Sequence, residues 1–96
     1  MPKLPKKVKG VAAMFNVVYR KHKTRAGRLH MYRKGGARIE INPDMPKDVQ
    51  LATFVHECFH LADKDTGGDL KESVIDRLSL GWIALCKRNK WTLPGQ

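Results

Sequence analysis

The 96-residue sequence has few cysteines, few acidic residues and no long apolar run. Its two cysteines, Cys58 and Cys86, lie in apolar stretches without CxxC spacing, which argues against a disulfide framework or a thiol redox site. No apolar segment approaches the roughly 18 to 20 residues of a transmembrane helix, and the N-terminal residues lack the apolar core of a signal peptide. These absences predict a cytoplasmic protein with reduced thiols.

The scarcity of acidic residues leaves a strong positive charge. Nine Asp and Glu stand against 19 Lys and Arg, which gives a formal net charge of +10, and the basic residues concentrate at 3–9, 20–38 and 87–90. Such an excess suggests an anionic partner such as a nucleic acid. The simpler explanation is a solvated basic surface, because no helix-turn-helix, zinc-finger or RNA-binding sheet motif accompanies the charge.

The first half of the chain has the features of β-structure. With 42% apolar residues, the chain has the size and core of one domain. Residues 1–10 are basic and contain prolines, so we expect an arm or a lead-in to the first strand, followed by a single domain over 11–96. β-Branched and aromatic residues predict a strand at 15–20, and a short helix before it stays open. Segments 29–32 and 37–42 predict a β-hairpin with one buried face.

Two helices are expected to follow. Asp and Pro residues at 42–46 end the hairpin and supply an N-cap region for a helix over 47–64. The glycine turn at 66–69 ends that helix, and a second helix over 70–89 follows, with Asp69 as its N-cap. The fold class is therefore α+β, with a small antiparallel or mixed sheet of about three strands packed on the two helices.

Both predicted helices have an apolar face. On the first helix the apolar side chains gather away from the histidines; they are Leu51, Phe54, Val55, Cys58 and Ala62. On the second helix, helical spacing predicts core packing for Val74, Ile75, Leu78, Trp82, Ile83 and Leu85.

The segment His56-Glu57-Cys58-Phe59-His60 predicts a metal site on the first helix. Residues four apart lie one turn apart, so His56 and His60 can bind the same Zn²⁺ ion. Glu57 projects about 100° round the helix from His56, where it can act as general base on a zinc-bound water. The alternative is two surface histidines with a chance Glu between them, which is disfavoured because the chain has only four His.

A catalytic zinc site needs a third protein ligand. The second helix offers Glu72, and Asp76 follows on the same face, so Glu72 can bind the metal while Asp76 accepts a hydrogen bond from a ligand histidine. Asp63 lies seven residues after His56, also on the same face, and competes for either role. The simpler alternatives are a helix-start acid for Glu72 and a surface ion-pair partner for Asp76.

His56, Glu57, His60, Glu72 and Asp76 resemble the pattern of the gluzincin metallopeptidases, in which the helix after HExxH supplies the third ligand and a supporting Asp. Over residues 28–90 the chain is similar to small HExxH proteins of bacteriophage genomes, and to the minigluzincins and the ImmA/IrrE group. The resemblance implies a zincin-like fold and a zinc endopeptidase acting on a protein substrate, in the host cytoplasm if the gene is phage-encoded. It also implies that the strand at 37–42 is the sheet edge on which an extended peptide docks.

The chain departs from the family pattern in two ways. The interval between His60 and Glu72 is shorter than in large gluzincins, and no residue for binding an oxyanion stands out beyond the candidates Tyr19, Tyr32 and Arg77. Two alternatives stay open, the first of them because of the +10 charge. One is a zinc-containing, nucleic-acid-associated protein similar to the SprT-like proteins, and the other is a phage-type binding protein that keeps the fold without catalysis.

Overall fold

The computed structural model describes residues 4–9, 14–31 and 37–93. Four strands precede two helices; they are β1 (Lys7–Lys9), β2 (Met14–Tyr19), β3 (Gly27–Met31), β4 (Ala37–Ile41), α1 (Lys47–Asp65) and α2 (Glu72–Asn89). The fold class is α+β, as predicted. The sheet has four strands rather than three, because β1, inside the basic segment 1–10, pairs with β2.

The four strands form one mixed sheet in the order β1-β2-β4-β3. The predicted hairpin is confirmed, since β3 and β4 are antiparallel with Leu29 opposite Ile39. Its connection, at 32–36, lies outside the described residues. The prediction that the strand at 37–42 forms the sheet edge is wrong, because β2 pairs in parallel with the other side of β4. Among the described strands, β3 is the edge strand on the side of β4 that faces away from β2.

The two faces of the sheet differ sharply in polarity, because side chains alternate along each strand. On one face, apolar side chains of the sheet pack against two residues of α1, Phe54 and Leu61. The sheet residues of this core are Phe15, Val17, Ala37, Ile39 and Ile41. The opposite face carries polar and charged side chains, including Glu40. The hydrophobic core and the charged surface are thus separated by the thickness of the sheet.

Helix α1 follows the predicted span and buries Phe54, Val55 and Leu61, whereas Ala62 is exposed. No side chain caps its N-terminus, although an N-cap region was predicted at 42–46. The segment is stabilised from within the helix instead, since the Gln50 side chain donates hydrogen bonds to the carbonyls of Pro43 and Met45, at 3.3 and 2.8 Å.

Helix α2 begins at Glu72, and its N-cap residue is Lys71, which makes no side-chain capping bond. The prediction of Asp69 as the N-cap is wrong, because its carboxylate pairs instead with Lys64 Nζ at 3.1 Å. At the other end Lys90 adopts a left-handed conformation with φ of 56°, and its N–H reaches the carbonyls of Cys86 and Lys87. This arrangement satisfies carbonyls that would otherwise lack partners at the helix end.

Helix α2 is less buried than its sequence predicts. Ile75 and Cys86 are fully buried, but Leu78, Trp82 and Leu85 are 45%, 43% and 50% exposed, so the prediction that they are core residues is wrong. The reason is topological. Among the described elements α2 contacts only α1, so a single stripe of its surface is covered. In the described chain neither helix is long and apolar enough to cross a membrane.

Candidate metal centre

Two helices bring three side chains to one point. The Nε2 atoms of His56 and His60, one turn apart on α1, lie 3.1 Å from each other. Glu72, the first residue of α2, bridges them, with one carboxylate oxygen 2.6 Å from His56 Nε2 and the other 2.7 Å from His60 Nε2. The short glycine turn therefore returns the chain tightly enough for the predicted third ligand to reach both histidines.

The three side chains fit a zinc ion. Two imidazoles and one carboxylate are a common protein ligand set of catalytic zinc, and tetrahedral ligands about 2.0 to 2.1 Å from the metal lie roughly 3.3 Å apart. The observed separations of 2.6 to 3.1 Å are a few tenths of an ångström shorter, which small side-chain rotations would correct. Two imidazole nitrogens and a carboxylate this close together can bind one metal ion.

Asp76 lies behind His56, one helical turn after Glu72. Its Oδ1 is 3.0 Å from His56 Nδ1. A carboxylate at this nitrogen favours the tautomer in which Nδ1 carries the proton, so Nε2 presents its lone pair to the other donors. The structure thus places Asp76 where the sequence predicts a residue that orients a ligand histidine.

Glu57 lies beside the possible metal ligands His56, His60 and Glu72, and its side chain is more buried than theirs. Its side chain is buried, and one of its oxygens lies within 4.8 Å of ligand atoms of both His56 and His60. Burial raises the pKa of the Glu57 carboxyl, against the opposing effects of the two histidines and of the Leu29 backbone N–H, which donates a hydrogen bond to it. Glu57 therefore contacts the edge strand as well as the donor group.

The structure places Asp63 elsewhere. Its Oδ2 accepts a hydrogen bond of 2.9 Å from the backbone N–H of Leu70, and its carbonyl accepts one of 2.7 Å from Gly68. Both contacts lie in the turn between α1 and α2. Asp63 belongs to neither of the groups of possible metal ligands found among the described residues, which are His56, Glu57 and His60, and His56, Glu72 and Asp76. Its position supports the turn that brings Glu72 back to the histidines.

The donors lie in an open cleft of about 720 Å³. Helix α1 forms its floor, α2 contributes one wall through Glu72, Asp76, Ser79 and Leu80, and residues 25–29 form the other wall. The sequence prediction missed this second wall. The sequence feature that could have indicated it is Gly27. In the structure, an added Cβ at this position would meet the Glu40 carbonyl oxygen and lie 2.7 Å from Thr53 Cγ2. The missing side chain lets β3 approach α1 closely.

The structure does not bring two of the three candidate oxyanion-binding residues to the cleft. Tyr19 and Arg77 are exposed and do not line it, and Tyr32 lies outside the described residues. His22 lies on the far side of the sheet, with Nε2 3.2 Å from Glu40 Oε1. The cleft carries the metal donors and Glu57, together with the cations Arg25, Arg28 and Lys64.

Comparison with known proteins finds no match for the chain among family models, curated proteins or solved structures.

Proposed function

We propose that the chain is a zinc-dependent metallopeptidase of the gluzincin type, with a zincin-like fold, that hydrolyses peptide bonds within a protein substrate. The observation that carries the proposal is the convergence of His56 Nε2, His60 Nε2 and the Glu72 carboxylate within 2.6 to 3.1 Å. Glu57 and Asp76 complete the arrangement. A cytoplasmic setting, in the host cell if the protein is phage-encoded, belongs to the same proposal.

Each residue has a distinct task. His56, His60 and Glu72 would hold the zinc ion, and Asp76 would keep the His56 imidazole in the tautomer that binds it. When bound, zinc supplies Lewis acidity, which lowers the pKa of a water molecule and polarises a carbonyl group. Glu57 is positioned to take a proton from the attacking water and to pass it to the leaving amine. The low exposure of Glu57 limits its access to other proton donors.

The edge strand gives an extended peptide a place to dock. The Asn42 N–H donates to the Ala26 carbonyl at 2.7 Å, so alternation along the antiparallel pair directs the backbone groups of Gly27, Leu29 and Met31 away from β4. Of these groups, the Leu29 N–H already donates to Glu57. β3 also forms a wall of the cleft. A substrate strand pairing there would pass over the donors on α1, so the docking role first expected for 37–42 is proposed for β3.

The proposal is tested by metal analysis and hydrolysis on the same samples. Purified protein is expected to hold one zinc ion per chain and to cleave a mixed peptide library, with products identified by mass spectrometry. Glu57→Gln preserves size and leaves the three ligands in place, so it is expected to retain zinc and to lose activity by about 10² to 10⁴-fold. Asp48→Asn, at an exposed acidic position on the same helix, is the matched control and should retain both.

Three outcomes would contradict the proposal. Absence of stoichiometric zinc would remove the metal centre, and full activity in Glu57→Gln would remove the assigned general base. Stoichiometric zinc without cleavage of any library peptide would favour the alternative of a metal-containing binding protein.

A further inference from the structure

The sheet face opposite the metal cleft carries a cluster of cations. The basic face is defined here by Lys7 and Lys9 of β1, Arg20 after β2, Arg28 of β3 and Arg38 of β4. Strand register places Lys7, Asn16 and Arg38 in one row across the sheet, and Glu40 and Arg28 in another. The apolar core lies on the alternate residues, so these side chains share the other face.

Glu40 holds three of these cations together. Its carboxylate is fully buried and lies 2.7 Å from Arg38 Nε, 2.9 Å from Arg28 Nε and 3.6 Å from an Arg20 guanidinium nitrogen. Burial acts to raise the Glu40 pKa, but the hydrogen bonds and charges of Arg38 and Arg28 outweigh it and lower the pKa to about 2. A single carboxylate neutralises one of three guanidinium charges, so the face keeps a surplus of positive charge.

No described element covers the basic face. Helix α1 packs on the apolar side of the sheet, and α2 contacts only α1. The side chains of Arg20 and Arg28 are 59% and 39% exposed even while they contact Glu40. The guanidinium groups of Arg20 and Arg28 each have five N–H donors, and the contacts with Glu40 occupy only part of that set.

The positively charged side chains of the basic face are suited to binding the phosphate backbone of a nucleic acid. Guanidinium groups form bidentate hydrogen bonds with phosphate oxygens, and neighbouring strands about 4.8 Å apart present such groups as a closely spaced array. None of the large exposed apolar side chains found among the described residues lies on this face, whereas membrane insertion and protein hot spots depend on apolar or aromatic anchors. A phosphate chain needs no such anchor.

We propose that the basic face binds the phosphate backbone of a nucleic acid, on the side of the sheet opposite the metal cleft. Binding should be largely independent of base sequence, because no described Phe, Tyr or Trp on the face offers a stacking platform. The cleft and the basic face would then be two neighbouring sites that share β3. Residues 27 and 29 line the cleft, and Arg28 lines it as well while its guanidinium contacts Glu40 on the basic face. The proposal does not depend on peptidase activity.

The test compares two matched double variants of the full chain. Lys9→Gln/Arg20→Gln removes two exposed cations of the basic face, and Lys87→Gln/Arg88→Gln removes the same two residue types from the exposed surface of α2. Binding is measured by fluorescence anisotropy with a labelled oligonucleotide of about 20 nucleotides and with the matching duplex, between about 50 and 200 mM salt. Circular dichroism and thermal unfolding establish that both variants fold.

The wild type is expected to bind with a steep salt dependence. Lys9→Gln/Arg20→Gln should weaken binding about 10-fold at moderate salt and reduce the slope of log K against log salt by about 2, while Lys87→Gln/Arg88→Gln should change affinity less than about 2-fold. Glu57→Gln should bind as the wild type does, which separates this proposal from the peptidase proposal. Equal losses in the two double variants, a shallow salt dependence, or equally tight binding of polyglutamate or anionic vesicles would each overturn it.

Discussion

His56 Nδ1 and Asp76 Oδ1 lie 3.0 Å apart and join α1 to α2 directly behind the three converging donors. The contact has two consequences. It fixes which His56 nitrogen faces Glu72 and His60, and it gives α2 a polar attachment to α1 although much of the α2 surface is exposed. The position of Glu72 and the orientation of His56, both proposed metal ligands, are thus controlled by the same helix.

Asp76→Asn should weaken metal binding without removing it. The amide keeps the shape of the carboxylate but loses its charge, so it holds the His56 imidazole less firmly in the tautomer that binds zinc. We expect a loss of about 10 to 100-fold in zinc affinity, measured by competition with a chromophoric chelator. Asp48→Asn serves again as the exposed control, and equal affinities for wild type and Asp76→Asn would show that the contact has no role in the metal site.

Glu72→Gln should abolish the stabilisation of the protein by zinc. A ligand that binds only the folded state raises the melting temperature with its concentration, so the wild type should melt higher when zinc is added. Glu72→Gln replaces the charged ligand at an exposed position, so the zinc-dependent shift should disappear while the metal-free melting temperature changes little.

Asp63→Asn gives the decisive comparison for the third ligand. The substitution weakens the turn contact with the Leu70 N–H, so it lowers the metal-free melting temperature but should preserve the shift caused by zinc. The reverse result, with the shift retained by Glu72→Gln and lost by Asp63→Asn, would make Asp63 the third ligand.

The spacing of residues within each helix predicted which side chains of the candidate site share a face. Contacts between segments distant in sequence could not be predicted from such spacing. His56 and His60 converge because residues four apart share a helix face, and Glu72 and Asp76 share a face of α2 for the same reason. Asp63 has the right spacing too, yet the glycine turn presents the Leu70 N–H to its carboxylate. Periodicity within one helix carries no information on what the following turn brings near.

The order of the strands in the sheet shows more clearly what the sequence pattern could not predict. The alternation of Ile39 and Ile41 with polar residues predicts that β4 is a strand with a buried face, but it does not say which strands flank it. The parallel pairing of β2 with β4 joins segments about 20 residues apart, and it places β3 rather than β4 at the edge. The exposure of Trp82 has a similar origin, because helical periodicity does not reveal whether a second layer covers the helix.

Gly27→Ala should destabilise the protein and reduce activity. The new methyl group would meet the Glu40 carbonyl and lie 2.7 Å from Thr53 Cγ2, so β3 must move away from α1. We expect a loss of about 1 to 3 kcal/mol in the free energy of unfolding, measured by urea denaturation. Gly81→Ala is the matched control, because nothing lies within 4 Å of its added Cβ within the described structure.

At position 81 the same change should raise stability by about 0.5 to 1 kcal/mol, since alanine is favoured over glycine in a helix interior. Opposite signs for the two substitutions would confirm that close contact with Glu40 and Thr53, rather than backbone freedom, requires glycine at position 27. A neutral Gly27→Ala variant with full peptidase activity would mean that the close approach of β3 to α1 is not required.

Glu40 should make the stability of the protein fall in acid. Its pKa is lowered from 4.5 to about 2 in the folded state, so folding favours the ionised form. The stabilisation is fully present above the unfolded pKa of 4.5 and is lost as the pH falls towards 2. Because the side chain is fully buried, a contribution on the order of 3 kcal/mol is expected.

Glu40→Gln should therefore be less stable than the wild type at neutral pH and should lose less stability between pH 5 and pH 3, as measured by urea denaturation at each pH. The amide accepts hydrogen bonds but cannot offset the charges of Arg28 and Arg38, so the destabilisation at neutral pH should diminish at high salt, where guanidinium repulsion is screened. Asp48→Asn should leave the acid dependence as in the wild type. Parallel stability curves for Glu40→Gln and the wild type would show that the Glu40 carboxylate is not what holds these arginines in place.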